Sequence, residues 1–303
     1  MPSTGSSSID CCMKHRLGDE VNRMKQPLPY QVRRLPWNSA TTADIMHAGR
    51  MRHHVQGLVE IDVTVARQRL RAHQARTGER LSTTGWLAFC LGKALVEHPA
   101  LNVHRLGARR FVQFDDVDVM MLVEREVDGE RRGIPLVVRQ ANRKDLRQIH
   151  QEVRNAQQET HGPEDMVVGD RASSHWLGRV PWAARLYPYV PKWIRGLFWR
   201  FLARDGFAAQ RILGTAGITA VGMFGRFPGW PLTVGMHTVD LAVGSIVRKP
   251  GIVGDRIEPR EFLALSVLVD HDLVDGAQAA RFVSRLGELL EQGYGLEDPD
   301  AAG

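Results

Sequence analysis

The chain has 303 residues, of which 43% are hydrophobic and 24% are charged, a balance typical of a folded, soluble protein. The net charge of +6 and the pI near 9.5 favour anionic partners, but the arginines are scattered without a basic motif, so we expect no nucleic acid partner. The three cysteines show no CxxC or Cys/His spacing, so we predict no metal site. Because no apolar run of about 18 residues and no secretory signal is present, we expect a cytoplasmic protein without a membrane-spanning helix.

Strands and helices mix between two polar ends. Residues 1–28 are rich in serine and residues 297–303 are polar, so we predict two flexible tails around one domain of residues 29–296. In chain order, the pattern first predicts a strand at 58–63, a helix at 65–76, and a helix capped by Ser82 that stops before Pro99. Strands at 117–124 and 134–139, joined by a turn at 128–130, and a polar helix at 146–158 follow. The last predicted elements are buried strands at 218–224, 239–247 and 263–269 and a helix at 277–292. This mixed α+β order favours a large sheet covered by helices on one side.

One segment, Val180 to Arg204 with flanks reaching about 176–206, is rich in tryptophan and arginine. Its second half predicts an amphipathic helix from Lys192 to Arg204. The apolar members at helical spacing are Trp193, Ile194, Leu197, Phe198, Phe201 and Leu202. A face of this kind packs against the protein's own core or a second subunit in most helices. The alternative is contact with a membrane surface.

A histidine follows the last apolar strand, in the order His271, Asp272, Leu273, Val274, Asp275, Gly276. A histidine at a rigid strand end, with an ordinary pKa near 6.5, can take a proton from a thiol or hydroxyl at neutral pH. The alternative is that His271 has no chemical role and that Asp275 only caps the next helix.

Two motifs together carry a family resemblance. The stretch 271–276 is similar to the HxxxDG signature that closes the catalytic domain of dihydrolipoamide acyltransferases, the core components of 2-oxo-acid dehydrogenase complexes. Upstream, GTAGITAVGMFG at 214–225 resembles that family's GTFTISNLGMFG strand, and Thr219 lies at the family's catalytic serine position. Thr219 precedes His271 by 52 positions, which agrees with the family's spacing. Weaker similarity at 60–64, 99–102 and 134–139 extends the resemblance over about residues 57–293.

The resemblance implies a fold and a mechanism. The fold would be an α+β, chloramphenicol-acetyltransferase-like two-layer sandwich with a mixed sheet covered by helices. His271 would remove the proton from the acceptor thiol, and Thr219 would hydrogen-bond the oxyanion. Asp275 would have a mainly structural role and pair with an arginine, for which Arg34 is our choice, and Gly276 would support the site.

The resemblance also implies substrates and an assembly. Acyl-coenzyme A would be the donor, and the active site would lie between subunits of a homotrimer or of a larger assembly of trimers. Nothing in the chain resembles a lipoyl-lysine hairpin, so we expect no covalently bound lipoyl group and a separate lipoyl-bearing protein as partner.

This sequence departs from the family beside both motifs. Asp272 replaces the usual arginine after the histidine, and Ala220 replaces the asparagine after the hydroxyl residue. We therefore predict an acyl-CoA-dependent acyltransferase whose acceptor is left open. The alternative is a non-catalytic trimeric scaffold or membrane-surface interaction protein that retains the fold.

Overall fold

The computed structural model describes residues 31–32, 39–127, 130–158, 168–169, 187–220 and 228–297. The described helices and strands all lie in the compact unit that begins at Trp37. Its strands are β1 (His54–Asp62), β2 (Val103–Leu106), β3 (Arg110–Gln113), β4 (Val119–Val127), β5 (Glu130–Val138), β6 (Val168–Gly169), β7 (Ala216–Ala220), β8 (Val239–Val253) and β9 (Arg256–Asp270). Its α-helices are α1 (Ser39–Arg50), α2 (Thr64–Thr77), α3 (Thr83–Glu97), α4 (Leu146–Gln158), α5 (Lys192–Leu202), α6 (Gly206–Leu213) and α7 (Gly276–Glu291).

Local capping residues define where several helices begin and end. The Ser82 hydroxyl accepts a hydrogen bond from the backbone N–H of Gly85 and starts α3, as the sequence predicts. Asp205 caps α6 in the same way. Helix α2 ends at Gly78, whose φ of 74° is the left-handed conformation that glycine adopts at helix ends.

Seven strands form one mixed sheet in the order β1-β9-β8-β7-β4-β5-β6, and β2 pairs with β3 separately. Strands β1, β9 and β8 pair antiparallel, whereas β7 runs parallel to both β8 and β4. Strand β1 lies at the edge, and its first residue, His54, pairs with Asp270 at the end of β9. This register brings the start of β1 to the point where the chain leaves β9.

The main hydrophobic core lies between one face of the sheet and the helices α2, α3, α4 and α7. Its largest fully buried side chains include Trp86, Leu91, Leu241, Leu265 and Phe282. A smaller cluster joins α1, α5 and α6 through Trp199, Leu202 and Leu213, with Met120 of β4 packed against it. The opposite face of the sheet is therefore partly covered too, which the sequence did not predict.

The α+β prediction is confirmed, with a mixed sheet and a main helix layer. The predicted helices and strands all occur. Their bounds differ mainly in the hairpin of β8 and β9, which extends beyond the predicted apolar runs. Residues 128–129 of the predicted turn, residues 221–224 of the predicted strand and the tail 1–28 lie outside the described residues. Within the described part of the chain, no helix is long and apolar enough to cross a membrane.

Candidate active site

His271 is the first residue after β9 and its side chain is exposed at the edge of the sheet. Its backbone N–H donates to the carbonyl oxygen of His53 at 3.0 Å, so the pairing of β1 with β9 continues one residue beyond the strands. Among the described residues, no side chain hydrogen-bonds the His271 imidazole. The ring is held through its backbone and is open to a substrate.

The turn that carries His271 is built on the buried carboxylate of Asp270. This carboxylate accepts from Arg52 at 3.3 Å and from the backbone N–H of Asp272 at 3.2 Å. The Asp270 carbonyl oxygen accepts from the N–H groups of Leu273 and Val274, both at 3.1 Å. Because the carboxylate and the carbonyl oxygen of Asp270 both accept hydrogen bonds from the turn, the position of His271 is well defined.

Asp272, which replaces the family's arginine, contacts two other elements. Its Oδ1 lies 2.9 Å from Nδ1 of His53, and its Oδ2 accepts from Nη2 of Arg105 on β2 at 2.8 Å. The hydrogen bond from His53, together with the charges of His53 and Arg105, holds the pKa of the Asp272 carboxyl below its ordinary value. The sequence indicated that Asp272 was unusual but not which residues it would meet.

Asp275 is the N-cap of α7, and its Oδ1 accepts from the backbone N–H of Gln278 at 2.8 Å. Gly276 begins the helix, and nothing lies within 4 Å of where its Cβ would be. The capping role considered for Asp275 is therefore what the geometry shows. Arg34, the predicted partner of Asp275, lies outside the described residues.

Thr219 lies on β7 and is half-buried. Its neighbours Ala216 and Ile218 belong to the main core, so by strand alternation Thr219 faces the opposite side of the sheet. Its hydroxyl makes no hydrogen bond to any of the described residues.

One chain does not bring Thr219 and His271 together. Thr219 pairs with Ala242, and Ala242 pairs with Ser266, which is five residues before His271 on β9. Strand geometry then separates the two residues by a distance on the order of 20 Å. A hydroxyl and a base that act on one reacting centre must each lie within about 3 Å of it. The two side chains can therefore share a site only if they come from different copies of the chain.

A buried polar cluster lies against Gly217, two residues before Thr219 on β7, and it was not predicted from the sequence. The carboxylate of Asp240 accepts from Nδ1 of His237 at 2.6 Å and from the backbone N–H of His237 at 2.9 Å. Burial by itself raises the pKa of Asp240, but these interactions with His237 outweigh it and the pKa lies below its ordinary value. Nearby, burial lowers the pKa of His104 to about 3, and its Nε2 bonds the carbonyl oxygen of Gly214. The one local sign of this cluster in the sequence was a glycine, Gly217, inside the strand that carries Thr219. Only glycine leaves room there for the carboxylate of Asp240.

The tryptophan- and arginine-rich segment is described only from Tyr187 onward. It is attached to α1 through the buried carboxylate of Asp44, which accepts a hydrogen bond from the Tyr187 hydroxyl at 2.7 Å and forms an ion pair with Nη1 of Arg195 at 3.2 Å. The Trp199 ring donates to the same hydroxyl at 2.8 Å. Helix α5 therefore buries the side on which Arg195, Trp199 and Leu202 lie.

The predicted apolar face of α5 is largely exposed. Trp193 is 73% exposed, Leu197 62% and Phe201 55%, although Phe198 and Leu202 do pack against the protein. The simpler interpretation was that this face packs against the chain's own core or a second subunit, and packing against the core holds only for one edge of the face. Two shallow grooves of about 300 and 330 Å³ lie between α5 and α1.

No cluster of three or more histidine, cysteine, aspartate or glutamate side chains in the described ranges has the geometry of a metal site. Cys90 is fully buried in α3, and burial raises the pKa of its thiol well above the ordinary value. At this edge of the sheet, the described part of the chain offers the side chains of His271, His53, Asp272 and Arg105 for chemistry.

Comparison with known proteins finds sequence similarity in the C-terminal third of the chain. Residues 210–296 match the family of 2-oxoacid dehydrogenases acyltransferase (catalytic domain). The dihydrolipoyllysine-residue acetyltransferase component of the pyruvate dehydrogenase complex of Acholeplasma laidlawii is 38% identical over 97 residues, which is 32% of this chain and 18% of that protein. The lipoamide acyltransferase component of the branched-chain alpha-keto acid dehydrogenase complex of Pseudomonas aeruginosa is 34% identical over 91 residues, 29% of this chain and 21% of that protein. The matches thus span about a fifth of these relatives.

Solved structures show the same fold over most of the chain. The dihydrolipoamide acetyltransferase of Azotobacter vinelandii matches with a TM-score of 0.60 and 20% identity, over 89% of this chain and 99% of that one. A probable dihydrolipoamide acetyltransferase from Listeria monocytogenes gives a TM-score of 0.58 at 17% identity, over 88% and 95%. The fold is therefore that of the dihydrolipoamide acyltransferase catalytic core.

The Azotobacter structure was described in a study of the role of a serine, a histidine and an asparagine in the catalytic mechanism. In that enzyme the serine precedes the histidine by 52 positions, and the asparagine follows the histidine by four. In this chain Thr219 precedes His271 by 52 positions and Asp275 follows it by four. The two spacings are the same.

Proposed function

We propose that this protein is an acyltransferase that moves an acyl group between coenzyme A and a thiol acceptor such as dihydrolipoamide. The observation that carries the proposal is the spacing of Thr219, His271 and Asp275 on this fold, because it reproduces that of the three residues studied in the Azotobacter enzyme. The exposed ring of His271 at a fixed strand end supplies a base that a substrate can reach.

In this mechanism His271 acts as the general base. It removes the proton of the acceptor thiol, and the thiolate attacks the thioester carbon. The Thr219 hydroxyl donates a hydrogen bond to the oxyanion that forms, and the proton then passes to the leaving sulfur. A positioned base contributes about 10² to 10⁴ in rate, and one oxyanion donor about 10² to 10³.

The site is completed by a second copy of the chain, in a homotrimer or a larger assembly of trimers. The separation of Thr219 and His271 within one chain supports this part of the proposal, since neither residue alone provides both the base and the oxyanion donor. The lipoyl group of the acceptor would be carried by a separate protein. Asp275 and Gly276 support the site by starting α7 directly behind the histidine turn.

The first experiment is a thiol-release assay on a panel of acyl-CoAs, with and without dihydrolipoamide, that compares the wild type with His271→Ala. We expect release that requires the acceptor and falls at least about 10²-fold in the variant. His73→Ala is the matched control, because His73 lies on α2 and contacts Glu79 rather than the site. If no donor supports release, or if His271→Ala releases thiol at the wild-type rate, the acyltransferase assignment is wrong.

A second candidate function, binding to an anionic membrane surface, is favoured by the exposed face of α5. The apolar stripe of Trp193, Leu197 and Phe201 is bordered by exposed Arg200 and Arg204, and residues 187–204 contain no aspartate or glutamate. Aromatic and aliphatic side chains flanked by cations are the features of helices that lie in a membrane interface, and the cations match the charge of acidic lipids.

Co-sedimentation with vesicles that contain phosphatidylglycerol, compared with vesicles of phosphatidylcholine alone, tests this binding. We expect the wild type to sediment with the acidic vesicles and Trp193→Ala/Leu197→Ala/Phe201→Ala to stay in solution. The control is Ile252→Ala/Ile257→Ala, which removes two apolar side chains from the β8–β9 hairpin that are more exposed than those of α5. If the α5 variant and the hairpin control sediment equally with the acidic vesicles, α5 has no role in membrane binding. Membrane binding without acyl transfer would favour the non-catalytic interpretation.

A further inference from the structure

Two histidines lie side by side at the edge of the sheet. His53 immediately precedes β1 and His271 immediately follows β9, and the hydrogen bond between their backbones makes them a cross-strand pair. Directly opposite residues of an antiparallel pair project to the same side, with Cβ atoms about 5 Å apart. The two imidazoles are therefore neighbours at this edge of the sheet.

His53 is oriented by a carboxylate, whereas His271 is not. Nδ1 of His53 lies 2.9 Å from Oδ1 of Asp272, and its side chain is 77% exposed. Because an ionised carboxylate only accepts, Nδ1 carries the proton and Nε2 is directed away from Asp272. Arg105 binds the other oxygen of Asp272 at 2.8 Å and keeps the carboxylate in place. This arrangement of carboxylate and imidazole is the one that orients a catalytic histidine in acyl-transfer triads.

We propose that His53, held by Asp272, is a second acid–base residue of the acyl-transfer site. The inference rests on the proposed function and deepens it. His271 takes the proton of the attacking thiol, and a bond forms between that sulfur and the thioester carbon. As the bond from this carbon to the coenzyme A sulfur breaks, the His53 imidazolium gives its Nε2 proton to the leaving thiolate. The proton on His271 then passes to His53, which restores both residues for the next turnover.

The other charged groups around these two rings are already paired. Arg52 behind the turn is paired with Asp270, and Arg105 on β2 is paired with Asp272. His54 faces the opposite side of the sheet, where its Nε2 contacts the carbonyl oxygen of His237. Asp275, the remaining carboxylate of the turn, caps α7. The active form therefore needs a neutral His271 and a protonated His53, which gives a bell-shaped dependence of rate on pH.

The test is the pH profile of kcat and KM for acyl transfer in the wild type, His53→Gln, Asp272→Asn and the control His73→Gln. We expect His53→Gln to lower kcat by about 10-fold or more without raising KM, and to remove the alkaline limb of the profile. Asp272→Asn should lower kcat in the same direction, since an amide permits the wrong tautomer. When its ring is neutral, His53 of the wild type should show the Nδ1–H tautomer by nitrogen NMR, and this preference should be lost in Asp272→Asn.

The outcomes separate this inference from the proposed function. An active wild type whose rate and both pH limbs are unchanged in His53→Gln would overturn the role of His53 alone. A rise in KM with unchanged kcat would also overturn it and make His53 a binding residue. A wild type without acyl transfer would overturn the proposed function and this inference together. Thermal melts of all variants confirm folding, which the exposure of His53 leads us to expect.

Discussion

Replacing Gly217 by alanine tests the buried polar cluster of Asp240 and His237 that lies against it. A Cβ at this position would lie 2.1 Å from Oδ1 of Asp240 and 2.7 Å from Nδ1 of His237, well inside van der Waals contact. The His237 side chain is fully buried and that of Asp240 is 13% exposed, so the carboxylate cannot turn into solvent without breaking their 2.6 Å hydrogen bond. Breaking a buried pair costs about 3–5 kcal/mol. For a domain of this size the melting temperature should fall by about 10 °C.

Urea and thermal unfolding followed by circular dichroism measure the effect. Gly287→Ala is the control, because this glycine lies in α7 with nothing within 4 Å of its Cβ position, and the substitution should be neutral or stabilise by about 0.4–1 kcal/mol. Adding Asp240→Ala to Gly217→Ala should relieve the clash, so the two losses should not add. A Gly217→Ala protein as stable as the wild type would show that the Asp240 carboxylate does not occupy this space.

Two further predictions concern residues around the site. Asp275→Ala should lower the free energy of unfolding by about 1 kcal/mol because Gln278 loses its capping acceptor, whereas Asp275→Asn should retain it, and urea midpoints compare them; equal losses would contradict the capping role. His104 stays neutral in the folded state to about pH 3, while in the unfolded state it binds a proton below about pH 6.5. Because of this group, the free energy of unfolding should decrease by about 1.4 kcal/mol for each unit that the pH is lowered below 6.5. His104→Gln should flatten that slope, and parallel slopes from pH 4.5 to 7 would refute the assignment.

The secondary structure was predicted well where its signals are local. The helix predicted at 146–158 is found with these bounds, and Ser82 and Asp275 cap the helices that begin after them. Strand predictions stopped short in the β8–β9 hairpin, because beyond Val247 the two strands pair outside the core and no longer carry apolar runs. A regular pattern of apolar residues marks a strand that has a buried face. It therefore cannot detect the part of a strand that faces solvent on both sides.

The site was predicted only as far as its motifs extend. His271, Thr219 and Asp275 follow from two short stretches of sequence. By contrast, His53 and Arg105 meet Asp272 across 219 and 167 positions, and no local pattern marks either residue. The apolar face of α5 was predicted, but the surface that covers it was left open between the core, a second subunit and a membrane. An amphipathic pattern shows that a helix has an apolar side, but whether that side meets the core depends on where α1 and α6 place the helix.

The separation of Thr219 and His271 allows a test of the site that needs no structure of the assembly. Thr219→Ala and His271→Ala should each be nearly inactive when assembled alone. If the base and the hydroxyl come from neighbouring copies in a cyclic trimer, mixing the two variants by unfolding and refolding them together should restore activity. With random assembly, about a quarter of the sites then pair an intact His271 with an intact Thr219, so activity should return to about a quarter of the wild-type level. Variants that are refolded separately and then mixed are the control. Co-refolded material that stays inactive would show that both residues of a site belong to one chain, and would refute the distance inferred from the register of β7, β8 and β9.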